Sequence, residues 1–152
     1  MKNDSERVID HTRSPVVIRH TMHDGEFKQE GYDFMAAAFE VYNVLGSGMA
    51  EEVYQESFEI ELGLRQIGFS SKPEVVGVDK GRRLQRRYLP DLVVGRAIVA
   101  ELKSVSALLP EHEAQLFSYL HLTRTRVGYL LNFGRAERLE WRRFLLSSSA
   151  RD

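Results

Sequence analysis

The stretch from Pro90 to Lys103 constrains the fold more than any other, because it sets charged side chains among apolar ones. It reads PDLVVGRAIVAELK, two apolar runs joined at a glycine, which predicts a β-hairpin. Glu101 and Lys103 are two residues apart, so in a strand both side chains point to the same face. Buried charges are costly unless they are paired or bind a metal ion. The hairpin therefore predicts a site for a divalent cation and a phosphate, built from Asp91, Glu101 and Lys103.

The pairing register of this hairpin decides whether the two carboxylates share a face of the sheet. They do so only if they lie opposite each other, which needs a loop with an odd number of residues centred on Arg96. Taken alone, Gly95-Arg96 favours a two-residue type II′ turn, which would place Asp91 on the other face. We expect the odd loop, or a bulge near Pro90. The pairs that then follow are Asp91 with Glu101, Leu92 with Ala100 and Val93 with Val99.

The remaining pattern predicts an α/β (α+β) domain with the element order α-α-β-β-β-α-β-β. Apolar residues recur at helical spacing in three segments and in short β-type runs elsewhere. In the second helix the main apolar stripe is formed by Val53, Ile60, Leu64 and Ile67. The predicted helices cover 33–45, 48–67 and 110–122, and the predicted strands cover 73–79, 84–94, 98–105, 127–133 and 138–145.

Length and composition favour one globular domain, which we place at residues 30–146 of the 152. Residues 1–29 are polar and are predicted to be a flexible tail, although Pro15–Ile18 could form a short strand. Residues 147–152 are predicted to be a frayed C-terminal tail. The chain has no cysteine, which agrees with a cytoplasmic location. Its apolar runs are too short for a membrane span, so no membrane partner is expected.

The charge distribution is more informative than the net charge of −1, which gives no general argument for binding nucleic acid. Four arginines lie close together in the predicted strand 84–94 or just before it. They could form a local basic surface for nucleic acid, or they could be the charged guard of a solvated strand edge. These residues are Arg82, Arg83, Arg86 and Arg87.

Two polar patterns lie on the helices that flank the hairpin. Gly48-x-x-Glu51-x-x-Tyr54 opens the second helix, where Glu51 could be a cap for the first turn or a third acidic metal ligand. Tyr54 reads as a packing residue with a satisfied hydroxyl group. Gln115 and Tyr119 are four residues apart on the helix after Lys103, so they share one helix face. Without the hairpin, this second pattern equally describes an ordinary polar helix face.

The order of these motifs carries a family resemblance. The spacing D-(x)9-E-x-K with a proline before it, the Gly48–Tyr54 motif, His112–Leu116 and Leu131–Gly134 together resemble the GxxExxY proteins, which are grouped with the PD-(D/E)XK nucleases. Gln115-x-x-x-Tyr119 resembles the additional motif of the RecB-like nucleases in that superfamily. The resemblance covers about residues 31–146.

This resemblance implies a restriction-endonuclease-like core, a mixed central sheet flanked by helices, and a nuclease dependent on Mg²⁺ or Mn²⁺. Asp91 and Glu101 would bind the metal, with Glu51 as an additional ligand. Lys103 would position or activate the attacking water, and Gln115 and Tyr119 would support the site. The expected partner is nucleic acid, with DNA or RNA left open, as is the oligomeric state.

Two other functions fit the same residues. The chain could be a non-catalytic nucleic-acid-binding or protein-interaction module that kept the nuclease-like fold. A phosphohydrolase for small nucleotides is a third possibility. The sequence contains no G-x-S-x-G nucleophile motif, no phosphate-binding P-loop and no dinucleotide fingerprint, which leaves phosphodiester chemistry as the best-supported class.

Overall fold

The computed structural model describes residues 6–10, 17–19, 27–95 and 97–146, and this part of the chain forms a mixed sheet, a separate two-stranded ribbon and three helices. No helix within these ranges is both long enough and apolar enough to cross a bilayer. In chain order the elements are β1 (Glu6–Asp10), β2 (Val17–Arg19), α1 (Lys28–Leu45), α2 (Glu51–Leu64), β3 (Phe69–Ser71), β4 (Val75–Asp79), β5 (Arg82–Tyr88), β6 (Leu92–Val94), β7 (Ile98–Lys103), α3 (Pro110–Thr123), β8 (Val127–Asn132) and β9 (Glu140–Leu146).

The main sheet has seven strands in the order β2-β1-β9-β8-β7-β6-β3. The β7–β8 and β1–β9 pairs are parallel and the other pairs are antiparallel. Strands β7 and β8 lie at the centre and are connected by α3. The ribbon β4–β5 forms its own small sheet. The predicted fold class, a mixed sheet flanked by helices, is confirmed.

Strand β7 divides the core because its side chains alternate between the two faces of the sheet. Ile98, Ala100 and Leu102 belong to the cluster that packs under α1 and α2. Val99 belongs to the cluster under α3. Glu101 and Lys103 follow Val99 at two-residue steps, so they face α3 and not the helical pair. This alternation places α3 opposite the charged side chains of β7.

The predicted register of the hairpin is confirmed. Leu92 lies opposite Ala100 and Val93 lies opposite Val99. The last pair joins residues 94 and 98, so the loop between them has three residues, an odd number. Gly95 begins this loop with φ +57°, in the left-handed region where glycine carries no steric penalty. The N–H of Ala97 donates to the carbonyl oxygen of Val94 within this loop (3.3 Å). The strands nevertheless keep the register of a three-residue loop and not that of a two-residue turn, because burial of both apolar faces fixes it.

Three features differ from the predicted elements. The predicted strand 84–94 is broken at Leu89-Pro90, because proline has no N–H group to donate to a neighbouring strand. Its first part belongs to β5 of the ribbon, and its second part forms β6 of the main sheet. The short strand β3 was not predicted. Strands β1 and β2 lie within the segment predicted to be a flexible tail, and their pairing was not predicted. The predicted C-terminal tail at 147–152 lies outside the described residues.

The stripe predicted for the second helix is wrong. Val53, Ile60 and Leu64 are exposed, with relative exposures of 41%, 59% and 75%. The buried side of α2 instead follows a second stripe, in which Tyr54, Phe58 and Leu62 recur at four-residue steps. In contrast, the apolar residues at helical spacing in α1 are buried or half-buried; they are Phe34, Ala38, Val41, Tyr42 and Leu45. The buried residues of α2 are Tyr54, Gln55, Phe58 and Leu62.

Candidate active site

Asp91 and Glu101 form a carboxyl pair held by the backbone of the hairpin. The N–H of Asp91 donates to Glu101 Oε1 (3.1 Å), and the N–H of Leu102 donates to Asp91 Oδ2 (2.8 Å). The two carboxyl groups also hydrogen-bond to each other. Glu101 is only 3% exposed. Each carboxyl group is therefore fixed by a main-chain donor of the opposite strand, so the pair is positioned by the fold itself.

Burial and the neighbouring charge act strongly on this pair. Burial, reinforced by the charge of Asp91, raises the pKa of Glu101 to about 9 from an ordinary value of 4.5. The ammonium group of Lys103 and the N–H of Asp91 act in the opposite direction but are outweighed. In the absence of a cation the pair therefore holds a proton at neutral pH. A bound metal cation would supply the positive charge that this proton otherwise provides.

Helix α3 adds a polar chain to the same face. Lys103 Nζ donates to Gln115 Oε1 (3.1 Å), and Gln115 Nε2 donates to the hydroxyl oxygen of Tyr119 (3.3 Å). Burial and the charge of Glu101 raise the pKa of Tyr119 above its ordinary value. The amide of Gln115 thus orients Lys103 on one side and Tyr119 on the other. The structure brings together five of the predicted site residues, Asp91, Glu101, Lys103, Gln115 and Tyr119.

Glu51 is not part of this hydrogen-bonded group. It is the first residue of α2, because the residue that caps the helix is Ala50 and not Gly48, so Glu51 does not stand at the third helical position that a cap for Gly48 requires. Gln55, one helical turn later, donates from Nε2 to the carbonyl oxygen of Asp91 (2.8 Å). At the preceding turn, Ser104 Oγ donates to the carbonyl oxygen of Met49 (2.5 Å). These two contacts fix the start of α2 beside the hairpin, but the role of Glu51 as a metal ligand stays a prediction.

The remaining motif residues serve the scaffold. Tyr54 stacks on Phe133 with ring centroids 4.4 Å apart, accepts a hydrogen bond from the N–H of Met49 and donates one to the carbonyl oxygen of Gly46. The N–H of Gly48 donates to the carbonyl oxygen of Phe133 (3.1 Å). The prediction that Tyr54 is a packing residue is confirmed. The glycine and tyrosine of the Gly48–Tyr54 motif therefore join α2 to the end of β8.

Asn132 fixes the loop that leaves Lys103. Its Oδ1 accepts from the N–H groups of Val105 and Gly134, and its Nδ2 donates to the Val105 carbonyl oxygen and to Glu140 Oε1. A Cβ on Gly134 would lie 2.1 Å from the Val105 carbonyl oxygen, so only glycine fits there. Neither Asn132 nor Gln55 was predicted as a supporting residue. The buried position of Asn132 within an apolar strand was the available signal.

The four clustered arginines all lie on β5 and are exposed. Arg87 is ion-paired with Glu74. The guanidinium carbon of Arg86 lies 5.6 Å from the centroid of the Tyr88 ring. Tyr88 in turn meets Tyr119 edge to face, with centroids 5.8 Å apart. One side of the ribbon is thus in contact with the site on α3.

Comparison with known proteins agrees with this geometry. A family model described as the PD-(D/E)XK nuclease superfamily matches residues 28–144. The chain belongs to the PD-(D/E)XK nuclease superfamily. The narrower resemblance to the GxxExxY proteins stays a prediction. Enzymes of the PD-(D/E)XK superfamily typically use divalent metal ions.

One solved structure, the crystal structure of SSO0001, has a similar fold, with a TM-score of 0.51 and 16% sequence identity. The alignment covers 81% of this chain and 61% of that one. At this identity the likeness shows the restriction-endonuclease-like fold alone. No curated protein matches the sequence.

The donor set of the site fits a divalent cation. Within the described ranges no group of three or more His, Cys, Asp or Glu side chains forms a metal cluster. Mg²⁺, however, is commonly held by one or two carboxylates, with water and substrate phosphate as the other ligands. Asp91 and Glu101 supply two carboxyl groups as hard oxygen donors, and the burial of Glu101 makes its negative charge costly without a positive partner. The pair is therefore suited to the cation that PD-(D/E)XK nucleases use.

Proposed function

We propose that the chain is a nuclease that hydrolyses phosphodiester bonds in nucleic acid with Mg²⁺ or Mn²⁺. The observation that carries this proposal is the contact of the buried Glu101 carboxyl group with half-buried Asp91, on the same side of the sheet as Lys103. Two carboxylates without a cation are costly in this position, and a structural role would be served better by apolar side chains. Membership of the PD-(D/E)XK superfamily supports the same reading.

Asp91 and Glu101 would hold the cation, with Glu51 as a further ligand. When bound, the cation would polarise the phosphate and lower the pKa of a water molecule. The main-chain N–H groups of residues 91 and 102 keep the two carboxyl groups in a fixed orientation. This orientation is set before substrate arrives, so little rearrangement is needed for binding.

Lys103 would act on the reacting phosphate. Its ammonium group is half-buried and held by Gln115, so it can neutralise the negative charge that develops on the phosphoryl oxygens and orient the attacking water. Gln115 and Tyr119 are positioning residues, since their contacts on α3 fix the direction of the Lys103 side chain. The arginine-rich strand β5 is proposed to supply the contact with the nucleic-acid backbone.

A cleavage screen tests this proposal. Wild-type protein is incubated with single- and double-stranded DNA and RNA in Mg²⁺, Mn²⁺ or chelator, beside the Lys103→Ala and Glu101→Gln variants. The expected result is metal-dependent hydrolysis that falls by at least about 100-fold in both variants, the usual cost of losing a group that stabilises transition-state charge. The matched control is Glu111→Gln, an exposed change of equal charge in the first turn of α3. Equal activity in Lys103→Ala and wild type would remove the proposal.

Metal binding separates the nuclease from a module that only binds nucleic acid. A nuclease should bind Mn²⁺ in a way that Asp91→Asn weakens, measured by titration calorimetry. Salt-dependent nucleic-acid affinity with neither metal binding nor turnover would instead establish the non-catalytic alternative. Hydrolysis of free nucleotides without cleavage of polymers would identify a small-nucleotide phosphohydrolase.

A further inference from the structure

The two faces of the β4–β5 ribbon differ in their relation to the site. Tyr88 and Arg87 are adjacent in β5, so their side chains point to opposite faces. Arg83 and Arg87 pair with Val78 and Val76, which are two residues apart in β4, so they share a face although the ladder is irregular between these pairs. We call this the outer face; its two arginines line a depression with Glu74 and Val76, to which Leu84 also contributes at the irregularity.

The other face, which we call the site-side face, carries Leu84, Arg86 and Tyr88 and packs against α3. A Cβ built on Gly77 would lie 2.9 Å from the Leu122 side chain of α3 and 3.2 Å from Leu84, so glycine allows close contact between ribbon and helix. Tyr88 meets the ring of Tyr119 on the same helix. The ribbon is therefore fixed to the helix that orients Lys103.

Arg86 is the cation best placed on this face. Its guanidinium group lies over the Tyr88 ring, a contact that restricts the side chain without neutralising its charge. Among the described residues Arg86 has no carboxylate in ion-pair range, whereas Arg87 is neutralised by Glu74. Arg82 lies opposite Asp79 at the turn of the ribbon, where a carboxylate reduces the local positive potential. Arg86 thus combines exposure, charge and restricted motion.

We propose that Arg86, supported by Tyr88, binds a backbone phosphate of the nucleic-acid strand whose scissile bond lies at Lys103, and that Arg83 and Arg87 on the outer face do not. This inference rests on the proposed nuclease function and assigns the path of its substrate. From Lys103 the strand would run past Gln115 and Tyr119 to the site-side face of the ribbon. The chemistry recognised is the phosphodiester backbone, which DNA and RNA share.

Matched arginine variants test this path. Arg86→Ala and Arg83→Ala remove the same charge from the same strand, both residues are exposed, and neither has an ion pair within the described ranges. Binding is measured by fluorescence anisotropy in chelator with labelled single-stranded DNA, duplex DNA and single-stranded RNA at several salt concentrations. Arg86→Ala should weaken binding by about sixfold at 0.1 M salt, the effect of one counterion released per phosphate bound, and should reduce the salt slope by slightly less than one.

The control should behave differently. Arg83→Ala should leave both affinity and salt slope within error of wild type, and Arg86→Lys should restore the slope because it restores the charge. The three substrates show whether the strand is DNA or RNA, single or paired. Thermal unfolding of each variant checks that the fold is retained.

The outcomes separate this inference from the proposed function. Equal losses in Arg86→Ala and Arg83→Ala, or no loss in either, would overturn the assigned path even if the wild type cleaves nucleic acid. Binding that depends on Arg86 but not Arg83, in a protein without metal-dependent hydrolysis, would overturn the nuclease proposal and support the binding face. A loss of cleavage in Mg²⁺ that follows the loss of affinity in Arg86→Ala supports both.

Discussion

Replacing Glu101 by glutamine should make the metal-free protein more stable at neutral pH, although it removes a proposed metal ligand. The pKa of Glu101 is about 9 in the folded protein and 4.5 when it is unperturbed. Below pH 4.5 the carboxyl group is protonated in both states. As the pH rises towards 9, the unfolded chain releases the proton and the folded protein keeps it, so the free energy of unfolding falls. Above pH 9 both states are ionised and the fall ends.

The size of the effect follows from the same shift. Each pH unit between these limits is worth at most about 1.4 kcal/mol, so from pH 5.5 to 7.5 the wild type should lose up to about 3 kcal/mol relative to Glu101→Gln. That is a large part of the stability of a typical domain, which is about 5–15 kcal/mol. Glutamine keeps the shape of the side chain and cannot ionise, so the difference between the two proteins isolates this contribution.

The assay is urea denaturation in chelator at pH 5.5, 6.5 and 7.5, followed by the fluorescence of Trp141, the single tryptophan. Glu111→Gln is the control, since it makes the same substitution at an exposed position. Asp91→Asn should keep part of the pH dependence of the free energy of unfolding, because burial is the larger cause of the raised pKa of Glu101 and remains in that variant. A constant difference between Glu101→Gln and wild type across this pH range would refute the reasoning.

Three further results are expected. Binding of Mn²⁺ at pH 7.5 should release about one proton from the Asp91–Glu101 pair. The enthalpy of Mn²⁺ binding measured by calorimetry should therefore differ between buffers of different ionisation enthalpy. Identical enthalpies would contradict a protonated pair. Asn132→Ala should lower the free energy of unfolding by about 3–5 kcal/mol, because it leaves several buried backbone groups without partners; a loss below 1 kcal/mol in urea denaturation would argue against this role. Tyr54→Phe keeps the ring stack and should cost only about 1–3 kcal/mol, with kcat per folded molecule unchanged; a fall in kcat at full folding would make the hydroxyl group part of the chemistry.

The sequence predicts the core of the site well because local and tertiary requirements agree there. Alternation places Glu101 and Lys103 on one face, and burial of both sides of the hairpin selects the register that puts Asp91 opposite Glu101. Helix α3 follows directly, so its polar pair could be placed beside Lys103. The structure brings these residues together as expected, and their catalytic and metal-binding roles stay predictions.

The failures occur where tertiary contacts override local pattern. In α2, Val53, Ile60 and Leu64 predicted the buried side, yet the Tyr54 stack and the Gln55 contact with the hairpin turn the helix so that this stripe is exposed. Strand β3 forms because it can hydrogen-bond to the free edge of β6. With only three residues, its sequence is too short to show the alternation that would predict a strand. The end of the ribbon at Leu89-Pro90 was predictable from the sequence, because proline has no N–H group to donate to a neighbouring strand.

The separate ribbon has a consequence for how the protein opens. Within the described ranges β4 and β5 pair only with each other, while β7 is bonded on both sides at the centre of the sheet. Amide hydrogens of the ribbon should therefore exchange with solvent through a local opening of lower free energy than those of β7 and β8. Such an opening would release Arg86 and Tyr88 without disturbing the carboxyl pair. If the proposed path of the substrate is right, substitutions in the ribbon would alter nucleic-acid binding and leave the carboxyl pair and the stability of the main sheet unchanged.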